Sequence, residues 1–110
     1  MRQFFRRFSS YIAMSSYEVK HNVKGREFFI ALDKGKAVLL YENEGHNTIN
    51  MYHTQVPTEL RGRGIAGQLA KAALDYAVNE DAKVKLTCTY LQKYVNDHPS
   101  PDYTSRVVAP

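Results

Sequence analysis

The hydrophobic pattern of this chain changes its period at Pro57, and this change constrains the fold more than any other feature. Before it, residues 17–56 read as four strand-like segments: YEVKHNV, REFFIAL, KAVLLYEN and TINMYHTQV. Turn signals such as Lys24-Gly25 and Glu44-Gly45 separate these segments at a spacing of about ten residues. Because strands this close in sequence are joined by tight turns, the pattern predicts an antiparallel meander.

In the fourth of these segments, apolar and polar side chains alternate along the strand. A regular strand with this pattern places Ile49, Met51 and His53 on one face of the sheet. The other face then receives Tyr52, Thr54 and Val56.

After Pro57 the spacing of the apolar residues becomes helical. A helix is predicted from Ile65 to about Asn79, with its apolar positions at Ile65, Leu69, Ala72, Ala73 and Tyr76. KVKLTC (83–88) alternates like a strand, and YLQKYVNDH (90–98) predicts a short helix that ends before Pro99. The predicted fold is therefore α+β, with the element order ββββ-α-β-α.

The first sixteen residues differ in composition from the rest of the chain. They contain Arg2, Arg6 and Arg7 but no acidic residue, and as a helix they would be cationic and amphipathic. Such a segment is typical of a mitochondrial presequence, or of a disordered basic arm without a targeting role. We therefore divide the chain into an arm (1–16) and one domain (17–106), and expect an intracellular protein that is mitochondrial, cytoplasmic or nuclear.

The charge and the cysteine content of the chain argue against several classes of protein function. The formal net charge of +4 falls to +1 when the three arginines of the arm are subtracted, so the domain itself is close to neutral and nucleic-acid binding is not expected. Cys88 is the single cysteine, and the four histidines show no metal-ligand spacing, so we expect neither a disulfide nor a metal site. No apolar run has the length of a membrane span, and we expect a monomer.

The turn before the predicted helix, LRGRGIA (60–66), predicts an anion site. The first N–H groups of a helix lack intrahelical partners, and the helix dipole adds partial positive charge. Gly62 and Gly64 allow a ligand to approach the backbone closely, while Arg61 and Arg63 can contact phosphate oxygens. The turn lacks the Lys-Ser/Thr pair of a P-loop. It matches G-x-G-x-x-G through Gly67, a match we interpret as accidental because antiparallel strands precede it.

Three segments of the chain, in this order, resemble the GNAT-type acyltransferases. Residues 61–66, RGRGIA, resemble the R/Q-x-x-G-x-G/A signature of that family. HTQVP (53–57) and LTCTYLQKYVNDHPSPDY (86–103) resemble its small one-domain members, so that the likeness extends over about residues 17 to 105.

This resemblance implies acetyl-CoA as cofactor, a minimal fold in which strands 4 and 5 splay apart around it, and an amine as acceptor. It implies that the backbone of Thr54, Gln55 and Val56 binds the pantetheine arm. It also implies that the pyrophosphate is bound by the amides of Gly62, Gly64, Ile65 and Ala66 together with Arg61 and Arg63. The acetyl thioester would then lie between His53 and Cys88, and Tyr90 and Tyr94 are candidate acids or cofactor contacts.

The sequence departs from the larger members of the family in its catalytic groups. Residues 48–57 contain no carboxylate, and Glu59 lies only in the turn beyond. We therefore expect His53 to act as the general base. Cys88 is expected either to protonate the leaving thiolate or to accept the acetyl group covalently.

Three functions are consistent with these observations. The first is an acetyl-CoA-dependent N-acetyltransferase that acts on an unidentified amine, such as a protein lysine, an N-terminus or a small amine. The second is a module that binds CoA or acyl-CoA without turnover, and the third is a basic protein that binds phosphate or nucleic acid. Only short turns join the first strands, so the acceptor side is expected to be open.

Overall fold

The computed structural model describes residues 17–33 and 35–109. The predicted arm, residues 1–16, lies outside this part of the chain. The strands are β1 (Lys20–Asn22), β2 (Glu27–Leu32), β3 (Gly35–Asn43), β4 (Thr48–Gln55), β5 (Lys83–Leu86) and β6 (Val107–Val108). The helices are α1 (Ile65–Asn79), α2 (Thr89–Asp97) and α3 (Pro101–Thr104), and a short 3-10 turn at Thr58–Leu60 precedes α1.

The six strands form one sheet in sequential order. Strands β1 to β4 are a meander of antiparallel neighbours, as the spacing of the turns predicts. β5 pairs in parallel with β4, and β6 pairs in parallel with β5. Parallel neighbours require a crossover connection, which α1 supplies before β5 and the α2–α3 pair supplies before β6.

All three helices cover one face of the sheet. α1 packs on β2, β3 and β4, and both α2 and α3 contact α1. α1 buries Ile65, Leu69 and Ala73 against this face, in keeping with the helical period of its sequence. α3 is attached to α1 by the hydroxyl of Tyr103, which donates a hydrogen bond of 2.6 Å to the carboxylate of Asp75. In the part of the chain that the structure describes, no element covers the opposite face of the sheet.

The order ββββ-α-β-α is confirmed, and the structure adds two short elements after it. α3 has four residues and β6 has two, and neither is long enough to show a hydrophobic period. β6 extends the sheet just past residue 106.

An aromatic cluster links the start of the meander to α1. The imidazole of His21 stacks on Phe28 with ring centroids 4.0 Å apart, and its Nε2 lies 2.6 Å from the hydroxyl of Tyr41. Tyr76 of α1 meets the same imidazole edge-on. Burial in this cluster lowers the pKa of His21, since the charged imidazolium loses hydration there.

A β-bulge in β4 overturns the predicted alternation of this strand. Tyr41 pairs with Met51 but Leu40 pairs with His53, so Tyr52 is an extra residue without a direct partner on β3. After the bulge, Thr54 lies opposite the buried Leu39 and therefore points to the helix-covered face. The expectation that His53 shares a face with Ile49 and Met51 is wrong, because the extra residue reverses the alternation beyond it.

None of the helices in the described ranges combines the length and the hydropathy that a membrane crossing needs.

Candidate functional site

The site begins where β4 and β5 separate. Their parallel pairing ends at Met51 and Leu86, and the backbone N–H of Cys88 donates one further bond of 3.0 Å to the carbonyl of Met51. In the part of the chain that the structure describes, β4 then continues to Gln55 with a paired strand on its β3 side only. Backbone groups on the other side of residues 52–55 are therefore free to bond a ligand that carries amides.

The glycine turn lies between the end of β4 and the first residue of α1. Gly62 has φ 85° and Gly64 has φ 75°, which is the left-handed region that favours glycine. A Cβ built on either residue would meet no atom within 4 Å, so the turn faces open space. The two glycines therefore form the sharp turn and also leave the N-terminus of α1 accessible.

A cavity of about 630 Å³ extends from this turn to the gap between the strands. Its wall on the strand side consists of His53, Thr54, Gln55 and Val56. The wall on the turn and helix side is lined by Leu60, Arg61, Gly62, Gly64, Ile65, Ala66, Gly67 and Tyr90. Most of the predicted cofactor residues are thus brought together in one place.

The two arginines of the turn line different cavities. Arg61 lines the cavity, and its Nε donates a hydrogen bond of 3.2 Å to the carbonyl of Val56, which holds the guanidinium beside the turn. Arg63 instead lines a separate cavity with Asp33 and Glu59. Of the two arginines, Arg61 is the one that lines the cavity of the predicted cofactor site.

The side chain of Cys88 lies at the apex of the gap. Its Sγ is 3.5 Å from Oγ1 of Thr54. This side-chain contact connects the end of β4 to the residues that follow β5, beyond the last backbone bond between them. Cys88 is also the N-cap residue of α2, where the helix dipole favours negative charge. The thiol is half-buried, and Cys88 is not among the residues that line the cavity, whereas its partner Thr54 is.

His53 lies on the other side of β4 from this pair. It is exposed, opposite Leu40, and its Nε2 lies 3.3 Å from Oε1 of Gln55. The structure therefore places His53 on the cavity wall but toward the uncovered face of the sheet, whereas Thr54 points toward the helices.

The two candidate tyrosines of α2 differ in their access to the cavity. Tyr90 lines it, and burial together with the neighbouring Tyr94 and Cys88 raises the pKa of its phenol. It therefore stays protonated at neutral pH and can donate a hydrogen bond. Tyr94 is not a lining residue, although its ring centroid lies 6.3 Å from that of Tyr90.

Two residues of the cavity wall were not predicted. Gly67 lies on the first turn of α1 beside Tyr90, and a Cβ there would come to 3.7 Å from the phenol oxygen. The G-x-G-x-x-G spacing includes Gly67, but we interpret its match to the dinucleotide motif as accidental, so Gly67 was not assigned to the site. Leu60 is buried at the end of the 3-10 turn, and no sequence pattern identified it.

Among residues 17–33 and 35–109, no group of three or more metal-binding side chains comes together.

Comparison with known proteins identifies related sequences over most of the chain. The profile of the family described as GCN5-related N-acetyl-transferase matches residues 27–105. Protein NATD1 of Xenopus tropicalis is 50% identical over 95 residues, which cover 84% of this chain and 87% of that protein. Protein NATD1 of Homo sapiens is 50% identical over 91 residues, covering 81% of this chain and 80% of the human protein.

A solved structure has the same fold. It is that of a GCN5-like protein from Staphylococcus aureus, determined by NMR in solution. It superposes with a TM-score of 0.65 at 26% sequence identity, and the match covers 88% of this chain and 93% of that one.

Proposed function

Since the chain belongs to the GCN5-related N-acetyltransferase family, we propose that it binds acetyl-CoA in the cavity between the glycine turn and β4 and transfers the acetyl group to an amine. The observation that carries this proposal is the accessible N-terminus of α1. Gly62 and Gly64 leave it open, and the cavity connects it to the gap between β4 and β5.

The residues present fit the parts of the CoA molecule. The amides of residues 62–66 and the guanidinium of Arg61 would bind the pyrophosphate, because both supply donors and positive charge. The free side of residues 52–55 would bond the two amides of the pantetheine arm. When bound, acetyl-CoA supplies an activated acetyl thioester.

The chemistry requires a nucleophile, a base and an acid. We assign Cys88 as the group that receives the acetyl carbonyl carbon. The thiolate of Cys88 would form its S–C bond as the C–S bond to CoA breaks, and CoA would depart as a thiolate that takes up a proton from solvent. The amine nitrogen would then attack the same carbon, its N–C bond forming as the bond to Cys88 breaks, so that Cys88 leaves as a thiolate and the amine proton is left for a base. The alternative, in which Cys88 only protonates the departing sulfur, predicts no acetylated protein.

His53 is assigned to the acceptor. It lies toward the uncovered face of the sheet, so an amine that arrives from this side meets the imidazole before it meets Cys88. A neutral imidazole can take the proton that the amine loses on attack. Among residues 17–33 and 35–109 no element covers this face, which leaves room there for a long acceptor, such as a lysine in a flexible protein tail.

A pair of glycine variants tests the cofactor site. Gly64 and Gly45 both have positive φ, and a Cβ on either would meet no atom within 4 Å. Gly64→Ala and Gly45→Ala should therefore lower the stability by a similar amount, about 1 kcal/mol. Only Gly64→Ala should weaken the binding of acetyl-CoA in a calorimetric titration, because only its Cβ occupies the space at the start of α1. Equal affinities in the two variants would contradict the proposed site.

Release of CoA thiol in the presence of lysine peptides distinguishes the enzyme from a module that only binds CoA. Peptide-dependent release that exceeds the hydrolysis measured without peptide supports the enzyme. Binding without such release for lysine peptides, free N-termini and small amines would instead favour the non-catalytic module.

A further inference from the structure

Thr54 reaches the helix-covered face of the sheet only because of the bulge at Tyr52. In a regular strand Thr54 would alternate with Met51 and point to the opposite face. The extra residue reverses this orientation, and Thr54 comes to lie opposite Leu39 and half-buried. Bulges commonly re-aim a side chain next to an active site.

The hydroxyl of Thr54, which the bulge turns toward the helix-covered face, contacts the thiol of Cys88. Thr54 Oγ1 lies 3.5 Å from Cys88 Sγ, which is within hydrogen-bond distance for sulfur. The main chain of Cys88 is held at the same point, because its N–H bonds the carbonyl of Met51 and its carbonyl accepts from Leu91 and Gln92. Rotation about the Cα–Cβ bond is therefore the main freedom left to the thiol, and Thr54 restricts it.

Either atom of this pair can donate while the sulfur is a thiol, but only the hydroxyl can donate once the sulfur is a thiolate. Bonds to a charged acceptor are about twice as strong as those between neutral groups, so this contact favours the thiolate. The N-terminus of α2 acts in the same direction, since Cys88 is its N-cap residue. The thiolate is the form that attacks a carbonyl carbon.

We propose that Thr54 is the positioning residue of Cys88, and that its hydroxyl orients the sulfur across the gap between β4 and β5 and stabilises the thiolate. Its part in the reaction rests on the proposed function, in which Cys88 receives the acetyl group. The hydroxyl keeps its own proton throughout, so the balance of the transfer is unchanged. Thr54 thus contributes through its side chain as well as through the backbone that faces the pantetheine arm.

The single cysteine makes this proposal directly measurable. Any thiol reagent reports on Cys88 alone, so its alkylation by iodoacetamide can be followed between about pH 6 and about pH 10 without cofactor or acceptor. Thr54→Val keeps the shape of the side chain but removes the hydroxyl, whereas Thr54→Ser keeps the hydroxyl. Thr87→Val is the matched control, because it removes a hydroxyl next to Cys88 that bonds Asn50 at 2.7 Å instead.

We expect Thr54→Val to react about fivefold more slowly than the parent protein near pH 7 and at the same rate near pH 10, where the thiol is ionised in both. Thr54→Ser and Thr87→Val should stay within about twofold of the parent protein. Identical profiles for Thr54→Val and the parent protein would overturn the proposal, as would a Thr54→Ser variant that is as slow as Thr54→Val. Thr54→Ala replaces Thr54→Val if the valine variant does not show a cooperative thermal transition.

Titration of the same variants with acetyl-CoA separates the two proposals. Failure of the parent protein to bind acetyl-CoA would remove the proposed function and leave the alkylation result valid. Normal binding together with unchanged alkylation of Thr54→Val would overturn only the role of Thr54.

Discussion

The backbone N–H of Cys88 donates a hydrogen bond of 3.0 Å to the carbonyl of Met51, one residue before the bulge of β4. This bond fixes the apex of the gap between β4 and β5. Beyond it the strands no longer pair, and the side chains of Thr54 and Cys88 lie against each other across the opening. The backbone of Cys88, the candidate nucleophile, is therefore held by the bond at which the pairing of β4 with β5 ends.

Replacement of Cys88 by alanine should abolish acetyl transfer and leave the fold and the cofactor affinity nearly unchanged. The side chain is small and half-buried, and its bond to Met51 comes from the backbone, which the substitution keeps. Intact mass after incubation with acetyl-CoA should show one added acetyl group on the parent protein and none on Cys88→Ala. Full turnover by Cys88→Ala would refute the assignment of Cys88 even if the cofactor site is correct.

The position of this pair could not be predicted from the sequence. The segment TINMYHTQV alternates regularly, and nothing in it marks Tyr52 as an extra residue. The bulge depends on how β4 pairs with β3, which is a tertiary property. In contrast, the sequence correctly predicts α1, the four-strand meander and the glycine turn. Each of these depends on local features of the sequence, namely the spacing of apolar residues and the positions of glycine and proline.

Arg61 and Arg63 line different cavities, and this difference gives a second prediction. Arg61→Gln should weaken acetyl-CoA binding about tenfold, because the variant loses a charge that lines the cavity. Arg63→Gln removes the same charge from the neighbouring cavity, so only a screened long-range attraction is lost and the effect should stay within about twofold. The measurement is a calorimetric titration of both variants at one ionic strength. An equal loss of affinity in both variants would contradict the prediction, because it would show that acetyl-CoA does not bind closer to Arg61 than to Arg63.

The aromatic cluster around His21 predicts a pH dependence of stability. Burial lowers the pKa of this imidazole below its ordinary value of 6.5, so the unfolded chain takes up the proton more readily than the folded one. The stabilisation is therefore complete above about pH 6.5 and is lost as the pH falls through the folded pKa. Thermal unfolding of His21→Gln, which can still accept a bond from Tyr41, should show a weaker loss of stability toward acid than the parent protein.

The exposed His53 provides the control for this experiment. His53→Gln should keep the acid-dependent loss of the parent protein, since its imidazole is exposed and remote from the cluster. If His21→Gln and the parent protein lose stability in parallel between about pH 7 and about pH 5, the cluster is not the source of the effect.

The central claim is that the cavity between the glycine turn and β4 binds acetyl-CoA. A titration of the isotopically labelled protein with acetyl-CoA, followed by the chemical shifts of its backbone amides in NMR spectra, tests it most directly. We expect saturable shifts concentrated in residues 52–56 and 62–67, with little change in the turn between β1 and β2 at residues 23–26. No shifts at about millimolar acetyl-CoA, or shifts centred away from the glycine turn, would contradict it.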